Sequence, residues 1–215
     1  MSLLVTAILN DGIIMACDSR TTWTHSDKTV TYQDGSKKLF ILNNKIAIST
    51  CRNASLHGQT IEWYMNKFIE LHKDKKISKV PKLLKDYFLS IKPDCNVAFF
   101  VAGYNDSNKP IVYKVYTQQE NEKLYTSSPC SYWLGETNFV SRAFGPVYIR
   151  KGASYKKHTS YNLLIDKFSI EDGIKYCKYL INSSEEYLKF FDIKQTIGGD
   201  TKIVVIKPDR IYWYQ

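Results

Sequence analysis

The 215-residue chain lacks the features that mark membrane-spanning and secreted proteins. It contains no run of about 18 uncharged apolar residues, which is the length that a membrane-spanning helix needs. Residues 1–10 have neither the basic start nor the small-residue cleavage site of a signal peptide. No internal repeat, low-complexity tract or linker interrupts the sequence. We therefore expect a cytoplasmic protein without a membrane partner, folded as one domain over residues 1–215.

Cysteine and histidine are also sparse. The five cysteines are scattered and odd in number, and the four histidines form no motif. Because no pair has the spacing of metal ligands, these residues are typical of reduced thiols and unliganded imidazoles. We expect neither a metal site nor a bound cofactor.

Positive charge, by contrast, is abundant: 30 lysines and arginines face 21 acidic residues. One stretch, YIRKGASYKKHTSYN, combines basic side chains with aromatic rings. Basic side chains can bind the phosphates of a nucleic acid, and aromatic rings can stack on its nucleobases. Its basic residues are Arg150, Lys151, Lys156 and Lys157, and its tyrosines are Tyr148, Tyr155 and Tyr161. Because no recognised nucleic-acid-binding motif accompanies this basic segment, we expect no nucleic-acid partner.

Apolar periodicity predicts an α+β protein. Two strands flank a tight turn at Asn10-Asp11-Gly12, and a polar loop over residues 21–36 leads to a second hairpin that turns at Asn43-Asn44. Further along follow two amphipathic helices, four strands, a short helix over residues 138–144, the basic loop, a long capped helix and two closing strands. Strands this apolar are buried on one or both faces. We therefore predict a four-layer αββα sandwich.

The first hairpin carries a polar cluster back to the start of the chain. With a turn at residues 10–12, paired residues have numbers that sum to about 21 to 23. Asp18 and Arg20 then lie beside Ser2. A buried aspartate needs a charged or hydrogen-bonding partner. The candidates are Arg20 and a lysine of the second hairpin, either Lys37 or Lys38.

A serine, a carboxylate and a lysine that meet at the chain terminus can carry out N-terminal nucleophile chemistry. Once Met1 is removed, the α-amino group of Ser2 has a pKa near 8. That amine can accept the proton of its own hydroxyl. The lysine would lower the pKa of the hydroxyl and the aspartate would hold the lysine in place. The alternative is that Ser2 is simply a small residue after methionine, and that Asp18 and Arg20 form a structural ion pair.

The blocks NDGIIMACDSRTT, SKKLFILNNKIAIST and TIGGDTKIVVI make the chain resemble the proteasome β-subunits and related bacterial proteasome-like proteases, members of the N-terminal nucleophile hydrolase superfamily. The resemblance places Ser2 at the nucleophile, Asp18 at the orienting aspartate, Arg20 at the arginine that follows it and Lys38 at the catalytic lysine. It implies a peptide or amide substrate and self-association into a homo-oligomer.

Four positions depart from the pattern of that family. The glycine that contributes to the oxyanion hole falls near Arg52, and a serine within a Gly-Ser-Gly stretch corresponds to Glu136. The supporting aspartate and serine before the closing strand correspond to Lys194 and Ile197. We predict a hydrolase with Arg52 in the oxyanion region. An inactive structural or binding subunit of the same fold is the alternative, and nucleic-acid binding is a distant third.

Overall fold

The computed structural model describes residues 2–124, 128–145, 148–152, 154–157, 163–191 and 193–214, without the side chains of residues 149, 151 and 157. The strands are β1 (Leu3–Leu9), β2 (Gly12–Cys17), β3 (Thr21–Thr24), β4 (Val30–Gln33), β5 (Leu39–Asn43), β6 (Ile46–Arg52), β7 (Ser55–Leu56), β8 (Gln59–Thr60), β9 (Val97–Tyr104), β10 (Pro110–Tyr116), β11 (Glu122–Lys123), β12 (Cys130–Gly135), β13 (Tyr148–Lys151), β14 (Ser154–Lys157), β15 (Lys202–Ile206) and β16 (Ile211–Tyr214). The helices are α1 (Ile61–His72), α2 (Val80–Ile91), α3 (Asn138–Phe144) and α4 (Ile170–Lys189), with a 3₁₀ turn at Ile165–Lys167.

Ten strands form two five-stranded sheets in which every neighbouring pair is antiparallel. The first sheet has the order β12-β1-β2-β15-β16, and the second has the order β11-β10-β9-β6-β5. The remaining strands pair locally as β3-β4, β7-β8 and β13-β14. Because β1 and β2 are both interior strands of the first sheet, the polar end of their hairpin is surrounded by protein.

Alternation along the strands places apolar side chains on both faces of each sheet. In β1, Leu4 and Ile8 join a buried cluster that also contains Ala98 and Phe100 of β9, so this cluster lies between the two sheets. The opposite face of the first sheet packs against α3 and α4, and that of the second sheet packs against α1 and α2. This two-sided burial agrees with the uninterrupted apolar runs of β1, β2 and β9.

Local sequence signals account for the ends of several helices. The Thr60 hydroxyl accepts a hydrogen bond from Trp63 N and so caps α1. At the start of α4, Ser169 and Asp172 form the reciprocal pair of hydrogen bonds that defines a capping box. The predicted helix over residues 138–144 coincides with α3. These elements were therefore readable from local sequence alone.

Two predictions of irregular structure were wrong. Residues 21–36, predicted as a polar loop, contain the hairpin β3-β4. The basic segment, also predicted as a loop, contains the hairpin β13-β14. The side chains of both hairpins are mostly polar and half-buried or exposed, so the hairpins lack the apolar signal on which the strand predictions relied. Tyr161 and the side chains of Lys151 and Lys157 lie outside the described residues.

Among the described residues, no helix combines the length and the hydrophobicity that crossing a bilayer requires.

Candidate active site

The register of the β1-β2 hairpin brings Asp18 to the start of the chain. Leu4 pairs with Cys17 and Val5 pairs with Ala16, so that paired residue numbers sum to 21. Continuing this register, Leu3 N donates a hydrogen bond to Asp18 Oδ1 at 3.1 Å. The structure therefore confirms the predicted turn of this hairpin and the predicted return of Asp18 to the start of the chain.

Asp18 is fully buried and accepts hydrogen bonds from several directions. Besides Leu3 N, its carboxylate accepts from Arg20 N at 3.1 Å, from Gly198 N at 3.4 Å and from Lys38 Nζ at 2.9 Å. A buried carboxylate is stable only when its oxygens are paired in this way. The predicted contact between Asp18 and Lys38 is present, and Lys38 rather than Lys37 makes it.

Lys38 is the charged partner of Asp18 inside the protein. Its side chain is only 8% exposed, and its ammonium also donates a short hydrogen bond to the carbonyl oxygen of Arg20. Burial raises the pKa of the Asp18 carboxyl, while the charge and the hydrogen bond of Lys38 act in the opposite direction. Lys38 therefore favours the charged form of the Asp18 carboxyl, and Asp18 in turn positions the Lys38 ammonium.

Arg20 does not pair with Asp18 through its side chain. Its guanidinium binds Asp34 instead, with Nε 2.8 Å from Oδ1 and Nη2 2.9 Å from Oδ2. The side-chain hydrogen bond with Arg20 lowers the pKa of the Asp34 carboxyl. Both predicted partners therefore contact Asp18, but in different ways. Lys38 binds it through the side-chain ammonium, and Arg20 binds it through the backbone N–H.

Ser2 is 6% exposed and is held by the neighbouring strand β12. Its carbonyl oxygen accepts a hydrogen bond from Glu136 N at 2.8 Å. Gly135 makes this approach possible, because it has φ +99° and a Cβ on it would lie 1.8 Å from Ser2 O. The start of the chain is thus fixed between the ends of β2 and β12.

A cleft of about 170 Å³ opens beside these residues. Ser2, Lys38 and Arg52 line it together with residues from the β3-β4 hairpin and from the start of α1. Ser2 and Lys38 therefore share one cavity with room for part of a ligand. An attacking hydroxyl there would have the ammonium of Lys38 in the same cleft.

Arg52 has an unusual backbone conformation at the edge of the cleft. Its φ is +80°, in the left-handed region that glycine favours and that a long side chain rarely adopts. The guanidinium donates to Asn96 Oδ1 at 2.6 Å and lies over the ring of Tyr116, 5.1 Å from its centroid. The backbone at the predicted oxyanion position thus has a glycine-like shape although the residue is arginine.

The other departures from the pattern have structural roles of their own. The Glu136 carboxylate accepts from Asn138 Nδ2 at 2.6 Å and from Asn138 N at 3.4 Å, at the start of α3. Ile197 is fully buried among apolar side chains, and Lys194 Nζ donates to Thr24 Oγ1 at 3.0 Å. None of these side-chain contacts involves Ser2, Asp18 or Lys38.

Cys51 lines the cleft, but burial raises the pKa of its thiol to about 12. It is 4% exposed and packs with apolar residues between the sheets. Within the described part of the chain, no group of three or more His, Cys, Asp or Glu side chains is placed to hold a metal ion.

Sequence reasoning missed two residues of this region. Asp34 lies in the segment predicted as a loop, so no periodicity pointed to its contact with Arg20. Gly135 ends the strand CSYWLG, and a glycine at a strand end is a signal for close backbone approach that was not used. Gly198 N also donates to the Asp18 carboxylate, at 3.4 Å.

No family model matches the chain, and no curated protein matches it. Solved structures do match: Anbu from Hyphomicrobium sp. strain MC1, solved as a mutant, superposes with a TM-score of 0.68 at 12% sequence identity. The alignment covers 100% of this chain and 85% of the Anbu chain. At this identity the likeness concerns the fold alone. The chain therefore has a proteasome-like fold.

Proposed function

We propose that this protein is a proteasome-like N-terminal nucleophile hydrolase that cleaves peptide or other amide bonds, with Ser2 as the nucleophile after removal of Met1. The observation that carries the proposal is the buried ion pair between Lys38 and Asp18, located beside Ser2 in a cleft. A buried ion pair is a poor source of stability, because desolvation offsets most of its attraction. Such a pair in a cleft therefore points to chemistry.

The proposed reaction begins when the Ser2 hydroxyl oxygen attacks the carbonyl carbon of the substrate. The hydroxyl proton passes to the α-amino group of the same residue, and the ammonium of Lys38 stabilises the developing negative charge. Backbone N–H groups around Arg52 are the proposed donors to the oxyanion. The protonated amine then gives its proton to the leaving nitrogen as the C–N bond breaks, which leaves an ester on Ser2. Water hydrolyses that ester and restores the free hydroxyl.

Two residues have supporting roles in the proposal. Asp18 holds the Lys38 ammonium in place. Arg20 contributes its backbone, because its N–H donates to Asp18 and its carbonyl oxygen accepts from Lys38. No cofactor takes part in the proposed reaction.

The test is covalent labelling of the processed protein. Intact mass first establishes that Met1 is gone, since a retained methionine blocks the proposed base. A β-lactone or epoxyketone should then form one adduct, and peptide mapping should place it on Ser2. Ser2→Ala is the control and should remain unlabelled. A folded, processed wild type that forms no adduct would contradict the proposal.

The second candidate is a catalytically inactive subunit that serves a structural or binding role in the same fold. The resemblance expects supporting polar groups at the positions of Glu136 and Ile197. Glu136 instead binds Asn138 at the start of α3, and Ile197 packs in the apolar core, which favours this second candidate. Failure of the labelling experiment would favour this candidate.

We further propose that residues 1–215 form one cytoplasmic domain with the αββα arrangement of four layers, and that it self-associates into a homo-oligomer. The apolar clusters on both faces of each sheet support the layered arrangement. Sedimentation that shows a monomer at every concentration would contradict self-association.

The exposed rings of Tyr148 and Tyr155 lie on the β13-β14 hairpin. We expect that hairpin to show no strong, salt-dependent affinity for nucleic acid.

A further inference from the structure

Arg20 is in contact with both members of the buried ion pair through one short stretch of backbone. Its N–H donates to Asp18 Oδ2, and its carbonyl oxygen accepts from Lys38 Nζ. Any shift of this stretch would move the N–H that binds Asp18 and the carbonyl oxygen that binds Lys38 together. The position of Lys38 in the cleft therefore depends on what fixes Arg20.

The side chain of Arg20 is fixed by Asp34. The two carboxylate oxygens of Asp34 each accept one N–H of the guanidinium, at 2.8 Å and 2.9 Å. Two parallel hydrogen bonds fix both the orientation of the guanidinium plane and its distance from the carboxylate. A single hydrogen bond would leave the plane free to rotate. Asp34 follows β4 directly, so the contact also ties the β3-β4 hairpin to the end of the β1-β2 hairpin.

The guanidinium of Arg20 is enclosed on its other sides. Its Nη1 donates to Ile197 O at 3.3 Å, and the ring of Tyr32 lies 5.4 Å from its Cζ. A Cβ on Gly198 would lie 2.3 Å from that Cζ, so a larger residue there would require the guanidinium to move. Arg20 is thus clamped between the hairpin that carries Asp34 and the segment that carries Gly198.

We propose that Asp34 is a positioning residue for Lys38, acting through Arg20. Asp34 orients the guanidinium, the guanidinium fixes the Arg20 backbone, and that backbone sets the place of the Lys38 ammonium relative to Asp18 and the cleft. The inference rests on the proposed function, because it assigns a purpose to the position of Lys38.

The role differs from that of an ordinary stabilising ion pair. The side chain of Asp34 is 46% exposed and that of Arg20 is 18% exposed, so solvent screens the pair in part and it contributes less to folding than a buried pair would. Loss of Asp34 should therefore leave the protein folded while it misplaces the ammonium. Small misplacements of a catalytic group can cost about 100-fold in rate. A rate loss without a matching stability loss distinguishes positioning from a structural role.

The experiment compares Asp34→Ala with Asp106→Ala in protein freed of Met1. Asp106 is the control for loss of a surface carboxylate that forms an ion pair, because it lies 2.7 Å from Lys76. For acylation of Ser2 by a β-lactone, Asp34→Ala should lower the maximal rate by about 10- to 100-fold. The half-saturating concentration should stay unchanged. Asp106→Ala should behave as wild type, and Asp34→Glu should restore part of the rate.

A double-mutant cycle tests whether Asp34 acts through Arg20. Arg20→Gln and Asp34→Ala should each slow acylation, and the double variant should be no slower than the slower single variant, because both changes remove one shared contact. Multiplicative losses would overturn the inference, and so would a wild-type rate in Asp34→Ala.

A spectroscopic readout separates this inference from the proposed function. In carboxyl ¹³C NMR, Asp34→Ala should shift the resonance of Asp18, and Asp106→Ala should not. If the processed wild type is never acylated, the proposed function fails and the inference is judged on these spectra alone. An Asp18 resonance that is unmoved in Asp34→Ala overturns it in either case.

Discussion

Lys38 Nζ lies 2.9 Å from Asp18 Oδ2, and both side chains are shielded from solvent. A buried ion pair is costly to break, because the remaining charge has no partner. Lys38 also lines the same cleft as Ser2, the proposed nucleophile. We therefore expect substitution of Lys38 to have effects that substitution of Lys37 does not have.

Lys38→Ala should abolish acylation of Ser2, and Lys37→Ala should not. Removing the buried ammonium takes away charge stabilisation and should lower the rate by at least about 100-fold. It also leaves Asp18 unpaired, at a cost of about 3–5 kcal/mol in the free energy of unfolding. Lys37 is exposed and makes no contact with Asp18. Urea unfolding and β-lactone labelling measure the two effects.

The double variant Asp18→Asn/Lys38→Met separates chemistry from stability. Replacing both charges by neutral groups of similar size removes the desolvation cost and the attraction together, so the double variant should lose less stability than Lys38→Ala does. It should still form no adduct. A labelled double variant would show that Lys38 is not needed for the reaction.

Acylation by the processed wild type should increase as pH rises through about 8, because only the unprotonated α-amine accepts the hydroxyl proton. The measurement is the labelling rate as a function of pH. A profile that stays flat across this range would exclude the α-amino group as the base.

Gly135→Ala should unfold more readily than Gly58→Ala and should lose labelling at Ser2. Both glycines have positive φ, at +99° and +76°, so alanine is strained at either position by about 1–2 kcal/mol. Only at Gly135 does the added Cβ also collide with Ser2 O, since nothing lies within 4 Å at Gly58. Equal stability of the two variants would contradict the close approach of Gly135 to Ser2.

The Cys51 thiol should resist iodoacetamide at neutral pH although it lines the cleft. Burial raises its pKa to about 12, so the reactive thiolate is scarce. Cys51→Ala should form the Ser2 adduct as wild type does. An adduct that disappears in this variant would move the nucleophile from Ser2 to Cys51.

Asp34 should titrate below the ordinary aspartate pKa of 3.8, because its hydrogen bond with Arg20 favours the charged form. A lowered pKa in the folded protein means that the ionised carboxylate adds stability above that ordinary value. This stability is lost as pH falls through the lowered pKa. Carboxyl NMR should show the shift in wild type, and Arg20→Gln should return the Asp34 pKa toward 3.8.

Local sequence determined most of the elements of this fold. The Asn10-Asp11 turn, the apolar runs of β1, β2 and β9, and the capping box of α4 each depend on residues close together in the chain. For the same reason the sequence predicted that Asp18 returns to Ser2, since a hairpin register needs only the turn and the strand period.

Only the tertiary structure decided which partners these residues have. The choice of Lys38 over Lys37 depends on how the second sheet faces the first. The pairing of Arg20 with Asp34 depends on a polar hairpin whose exposed side chains give no apolar pattern. The glycine-like backbone of Arg52 and the contact of Gly135 with Ser2 arise where separate strands meet. Contacts between segments distant in sequence are set by packing, and packing has no local signature.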